Sequence, residues 1–190
     1  MEPSDPNSRT DPYDLSFFKV LIVEDSQFIR SIIASALKAM GINQVFAVHN
    51  IAEAKQKLLQ YNAAKSSHNI DVVITDWLMP EGDGSELLSW IRSHKIDVIQ
   101  FLPVIVCSAY TSEDLVNKAR NYGATEILVK PVSAQKLANR ILYVIDKPRP
   151  FIQAPGFFGP DRRRKNEKYI GEERRKTSAS DIEEDHEQLE

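Results

Sequence analysis

Four short apolar runs constrain this chain more than any other feature, because each ends on a polar or charged side chain. Lys19-Val-Leu-Ile-Val23 leads into Glu24 and Asp25, and Asp71-Val-Val-Ile-Thr75 into Asp76. Pro103 to Cys107 leads into Ser108, and Glu126 to Val129 into Lys130. β-Branched runs without polar alternation mark strands buried on both faces. Gln44 to Val48 supplies a fifth candidate strand. Between the strands the period changes to that of helices. Phe28, Ile29, Ile32, Ile33, Ala36, Leu37 and Met40 fall on one face and Gly41 follows as a stop. Asn50 to Tyr61, Gly84 to His94, Ser112 to Tyr122 and Ser133 to Ile145 read as further helices. Strand–helix alternation of this kind predicts an α/β doubly wound five-stranded parallel sheet with helices on both faces. In such sheets ligands sit beyond the carboxyl ends of the strands, where the strand order reverses.

The chain has 190 residues, enough for one well-buried domain with chain to spare. Its net charge of −3 argues against nucleic-acid binding over the whole surface, and no DNA partner is expected. The single cysteine, Cys107, cannot form an internal disulfide, which suits a reducing compartment. No apolar run approaches the roughly 18 residues of a membrane span. Residues 1–16 read as a disordered lead-in without the basic and apolar regions of a signal peptide, so the expected location is cytoplasmic. Residues 17–146 form the expected domain. From Pro148 onward prolines and charges replace the periodic pattern, and 147–190 read as a disordered tail, first arginine-rich and then acidic.

Carboxylates gathered at adjacent strand ends repel one another unless a cation lies between them. An all-oxygen ligand set selects a hard ion that keeps its waters, Mg²⁺ or Mn²⁺. One carboxylate can then attack a phosphoryl donor, while a lysine and a hydroxyl at neighbouring strand ends hold the other phosphoryl oxygens.

The residues Val23-Glu-Asp-Ser26, Thr75-Asp-Trp-Leu-Met-Pro80 with Gly82 and Gly84, Val106-Cys-Ser-Ala109 and Val129-Lys-Pro-Val132 resemble the receiver-domain signature of bacterial response regulators (CheY-like). The resemblance implies a receiver of two-component signalling without turnover enzyme activity, and the lack of a further folded region in the sequence predicts that it stands alone. It implies Asp76 as phosphoacceptor, Asp25 as direct Mg²⁺ ligand and Glu24 as a second acid acting through a metal-bound water. Leu78 would give its backbone carbonyl to the metal, Ser108 would be the switch hydroxyl, and Lys130 would pair with the phosphoryl group. Pro131 falls where the family usually has a cis bond. Implied partners are a histidine kinase or phosphotransfer protein and a downstream protein target, with the flagellar motor among those the family suggests. Ile127 departs from the family, which usually carries Tyr or Phe there. Tyr110 falls where the family influences attack of water on the phosphoaspartate. Phosphatases of the haloacid dehalogenase type also use a strand-end Asp, but they need an acid where this chain has Leu78.

The tail contains a repeat at an offset of twelve: Phe158-Gly-Pro-Asp-Arg-Arg163 and Ile170-Gly-Glu-Glu-Arg-Arg175, each with a preceding aromatic. Arginine bonds bidentately to the guanine edge, a carboxylate accepts from guanine N–H groups, and glycine lets the backbone approach a phosphate. The tail resembles the arginine-rich extensions of CheY-like cyclic-di-GMP effectors. That resemblance implies a cyclic-di-GMP site at Phe158, Gly159, Asp161, Arg162 and Arg163, with Tyr169, Gly171, Glu173, Arg174 and Arg175 as the second copy. The other reading is a phosphorelay shuttle between histidine-bearing proteins, whose tail is inert or binds RNA or anionic surfaces.

Overall fold

The structure is a computed structural model that describes residues 14–80, 82–109 and 112–162. The elements follow in the order β1 (Lys19–Val23), α1 (Gln27–Ala39), β2 (Gln44–Val48), α2 (Ile51–Tyr61), β3 (Val72–Asp76), β4 (Leu78–Met79) and β5 (Gly82–Asp83). Next come α3 (Gly84–Arg92), α4 (Asp97–Gln100), β6 (Val104–Ser108), α5 (Glu113–Asn121), β7 (Glu126–Val129), α6 (Ala134–Asp146), β8 (Phe151–Ala154) and β9 (Phe157–Pro160).

Five strands make one parallel sheet in the order β2-β1-β3-β6-β7. Successive residues of a strand face opposite sides, and the unbroken apolar runs feed two cores. Val20, Ile22, Val72, Ile74, Ile105 and Cys107 pack with Leu37 of α1 and with Leu137 and Ile141 of α6. Leu21, Val23, Val73, Val104 and Val106 pack with Leu58 of α2, Leu87 and Ile91 of α3, and Ala119 of α5. The doubly wound sheet read from the sequence is the sheet observed. Helix starts follow their caps: the side chains of Ser26, Asn50, Asp83, Ser112 and Ser133 each accept a bond from a first-turn N–H.

The disordered tail expected over 147–190 does not begin at 147. Residues 147–162 are not a disordered lead into the tail; β8 and β9 form an antiparallel hairpin turning at Pro155–Gly156. Its rings find partners on the domain. Phe151 and Phe158 lie 4.9 and 5.2 Å from Phe101, and 5.6 Å from each other. The backbone of Gly159 meets that of Gly123 so closely that a Cβ there would stand 2.9 Å from the Gly123 Cα.

The hairpin also covers Arg92. This guanidinium donates to the carbonyls of Gly123 (2.9 Å), Gln100 (2.7 Å) and Leu102 (2.8 Å), and its Cζ lies 5.0 Å from the Phe151 ring centre. Burial pushes its pKa down to about 9, so it remains charged at neutral pH. Carbonyl dipoles and a ring face take the place of a carboxylate. Buried Glu126 accepts from Arg140 and Arg149, each at 2.6 Å, and Arg149 also reaches the Asp161 carbonyl at 3.3 Å. No helix among the described residues is long and apolar enough to cross a membrane.

Candidate functional site

The strand order reverses between the adjacent strands β1 and β3, and the polar strand ends gather beside that crevice. Glu24 is 1% exposed and Asp76 8% exposed, while Asp25, at the lip, is open to solvent. One oxygen from each of these carboxylates lies within 4.8 Å of the others. Lys130 enters from the end of β7. Its Nζ donates to Glu24 Oε2 at 2.7 Å and to Asp76 Oδ2 at 2.8 Å. Its backbone N–H donates to the Ser108 carbonyl at 2.8 Å, and its bond to Pro131 is cis.

These charges shape one another. Burial, with the nearby Asp76 charge, raises the Glu24 pKa, and the bond from Lys130 offsets only part of that rise. For Lys130, burial alone would lower the value; the bonds to Asp76 and Glu24 outweigh it and hold the amine above the ordinary lysine range. Three carboxylates against one ammonium leave two negative charges in a small volume. That balance, with oxygen as the only donor type, fits a hard divalent cation.

The surrounding backbone is held by side chains whose parts the sequence did not reveal. Arg30 Nη1, one turn into α1, donates to the carbonyls of Glu24 and, at 2.8 Å, of Asp25, and so fixes the loop that carries both acids. The Gly84 N–H bonds the Trp77 carbonyl at 2.8 Å, and a Cβ on Gly84 would stand 2.7 Å from the Asp76 carbonyl oxygen. Only glycine allows that approach at the start of α3. Leu78, in the two-residue strand β4, points a half-exposed side chain away while its N–H reaches Asp76 Oδ1 at 3.4 Å. Ser108 ends β6, almost fully buried. Ile127 packs against the core on the α5 side of the sheet. Cys107, beside Asp76, is buried and its thiol is pushed up to about 12 by burial, which removes it from chemistry. Tyr110 lies outside the described residues.

Of the tail residues singled out in the sequence, four fall in the described region. Phe158 and Gly159 belong to the docked hairpin. The Asp161 N–H bonds the Pro150 carbonyl at 2.8 Å. The exposed Arg162 lies with Cζ 4.4 Å from the Phe157 ring centre and donates to Asn121 Oδ1. Arg163, Tyr169, Gly171, Glu173, Arg174 and Arg175 lie outside the described residues.

The profile of the response regulator receiver domain matches residues 20–142. Chemotaxis protein CheY of Pseudomonas aeruginosa is 31% identical over 129 residues, which cover 68% of this chain and 97% of that protein. The two-component response regulator-like protein APRR3 of Arabidopsis thaliana is 37% identical over 121 residues, 64% of this chain but only 23% of that longer protein. Among solved structures, the chemotaxis response regulator CheY4 of Vibrio cholerae superposes with a TM-score of 0.59 at 28% identity, covering 67% of this chain and 98% of its own. The chain belongs to the response regulator receiver domain family. It carries a receiver domain of two-component signalling.

Proposed function

We propose that Asp76 accepts a phosphoryl group from a histidine-bearing partner while a Mg²⁺ ion is held by Asp25, Asp76 and the Leu78 carbonyl, with Glu24 acting through a metal-bound water. The observation that carries this reading is Lys130 Nζ, 2.8 Å from Asp76 Oδ2 inside the carboxylate cluster. A carboxylate oxygen of Asp76 attacks phosphorus as the bond to the donor nitrogen breaks, and the imidazole leaves with its electron pair and takes a proton from solvent. Lys130 then shifts its bond from the carboxylate to a phosphoryl oxygen, and Ser108 supplies a hydroxyl to another. The metal, when bound, neutralises charge on the transferring group. Incubation with acetyl phosphate and Mg²⁺ should add one phosphoryl group by intact mass, and Asp76→Ala should add none. No addition to the wild type, or equal addition to the variant, overturns the reading.

The tail extends this proposal to a second input, cyclic-di-GMP, which would set the activity of a protein target. Support comes from the repeated glycine–acid–arginine pattern, and from the exposed Arg162, whose Cζ lies 4.4 Å from the Phe157 ring centre where a purine could stack. Phe158 and Gly159 are committed to the hairpin, so the first-copy contacts fall to Asp161, Arg162 and Arg163. Calorimetry of the whole chain should show binding of cyclic-di-GMP and none of GMP at equal concentration. Equal heats from both ligands, or none, would remove this input and leave the receiver assignment standing.

A further inference from the structure

Strand β7 is the outer strand of the sheet, and among the described residues no strand lies beyond it. An open edge offers backbone N–H and C=O groups to another extended chain. Two grooves flank it. One, of about 450 Å³, runs along α6 and is lined by Lys136, Arg140 and Tyr143 together with residues 127–129. The other, of about 170 Å³, runs along α5 between Val116, Arg120, Glu126 and Arg149. Four cations line these walls against one carboxylate, Glu126, which already binds two of them. Val129, 37% exposed, is the apolar side chain at the open end of the strand.

The chain carries its own complement to this surface. Residues 177–190 contain six Asp and Glu and no Lys or Arg, with Ile182 among the acids. The described chain also ends beside the groove. Arg149, which lines it, holds the Asp161 carbonyl, and Arg162 is bound to Asn121 at the end of α5. Fourteen residues, 163–176, separate this point from Thr177. At about 3.3–3.6 Å per residue they reach about 45–50 Å, more than enough to cross the domain. A tethered acidic segment meets the grooves at high effective concentration.

We propose that the acidic segment 177–190 docks along the outer edge of β7, its carboxylates against Arg120 and Lys136 and its Ile182 against Val129, as an intramolecular cover for this face of the receiver. The competing destination is the basic run 163–176 of the same tail, and the test separates the two. Cys107 is buried and unreactive, so a nitroxide attached to His186→Cys in the whole chain reports the acidic segment alone. Amide signals of Ile127, Leu128, Val129 and Arg120 should broaden. The broadening should vanish in Arg120→Glu/Lys136→Glu and at about 1 M salt, where screening acts within about 3 Å. Broadening confined to 163–176, no broadening, or broadening at β7 that survives both charge reversal and salt overturns the proposal. Both substituted side chains reach solvent, and an unchanged amide spectrum of the sheet core will show that the variant is folded.

Discussion

The indole of Trp77 and the phenol of Tyr122 lie with ring centres 6.3 Å apart, which joins the residue after Asp76 to the C-terminal end of α5. Tyr122 stands between Asn121, which receives Arg162, and Gly123, which meets both Arg92 and Gly159. A single ring contact therefore connects the carboxylate pocket to the footing of the hairpin. With Trp90→Phe as background, so that Trp77 is the sole tryptophan, emission should change on adding Mg²⁺ and again on adding acetyl phosphate. Tyr122→Leu should reduce the second change. Emission indifferent to both additions would show that this ring does not sense the pocket.

Metal affinity should depend unequally on the two acids that follow β1. Glu24 is buried and already bonded to Lys130, whereas Asp25 stands open at the lip. Asp25→Ala should abolish Mg²⁺ binding measured by calorimetry. Glu24→Ala should weaken it about tenfold to a hundredfold, the range for groups that act on a metal indirectly. Equal losses in the two variants would contradict the division of roles.

Alkaline stability should reveal Lys130. Its folded pKa is raised, so its stabilisation is complete below the unfolded value of about 10.4 and is lost as pH rises through the higher folded value. Urea unfolding without divalent metal should give a difference between wild type and Lys130→Met that stays constant from about pH 7 to about pH 10 and shrinks above it. A difference that grows with pH would reverse the sign and refute the assignment.

The hairpin should contribute measurably to the domain. Phe151→Ala removes the ring over Arg92 and one side of the Phe101 cluster, and should cost about 2–3 kcal/mol, less than a fully buried phenylalanine. Glu126→Gln leaves Arg140 and Arg149 facing a neutral amide and should cost about 3 kcal/mol. Chemical denaturation of each variant will measure both. Stability unchanged in Phe151→Ala would mean that the hairpin is not docked in solution.

Sheet and site differed in how far they could be read from residues alone. Unbroken runs such as Val20 to Val23 can only be buried on both sides, so the parallel sheet followed. The strand-end rule then placed Glu24, Asp25, Asp76, Ser108 and Lys130 on one rim, where the structure brings them together. Arg30 is not legible in the sequence, because an arginine on a helix surface gives no sign that it will bond carbonyls behind it. The hairpin is hidden from a local reading for a different reason. Pro148, Pro150, Pro155 and Pro160 read as breakers, although Pro155-Gly156 between Phe151-Ile152 and Phe157-Phe158 is itself a two-residue turn flanked by strand formers. Its partners, Phe101, Arg92 and Gly123, are far away in the chain, and no local pattern announces them.

The covering of Arg92 has a bearing on the order in which the protein is made. The guanidinium and its three carbonyl acceptors all belong to residues 92–123, yet the ring that closes over them belongs to residue 151. On a ribosome the sheet, the helices and the carboxylate pocket emerge before the piece that seals this charge. Until β8 and β9 leave the exit tunnel, the nascent domain presents Phe101 and a partly clothed arginine to its surroundings, and the receiver is finished only when the hairpin folds back onto it.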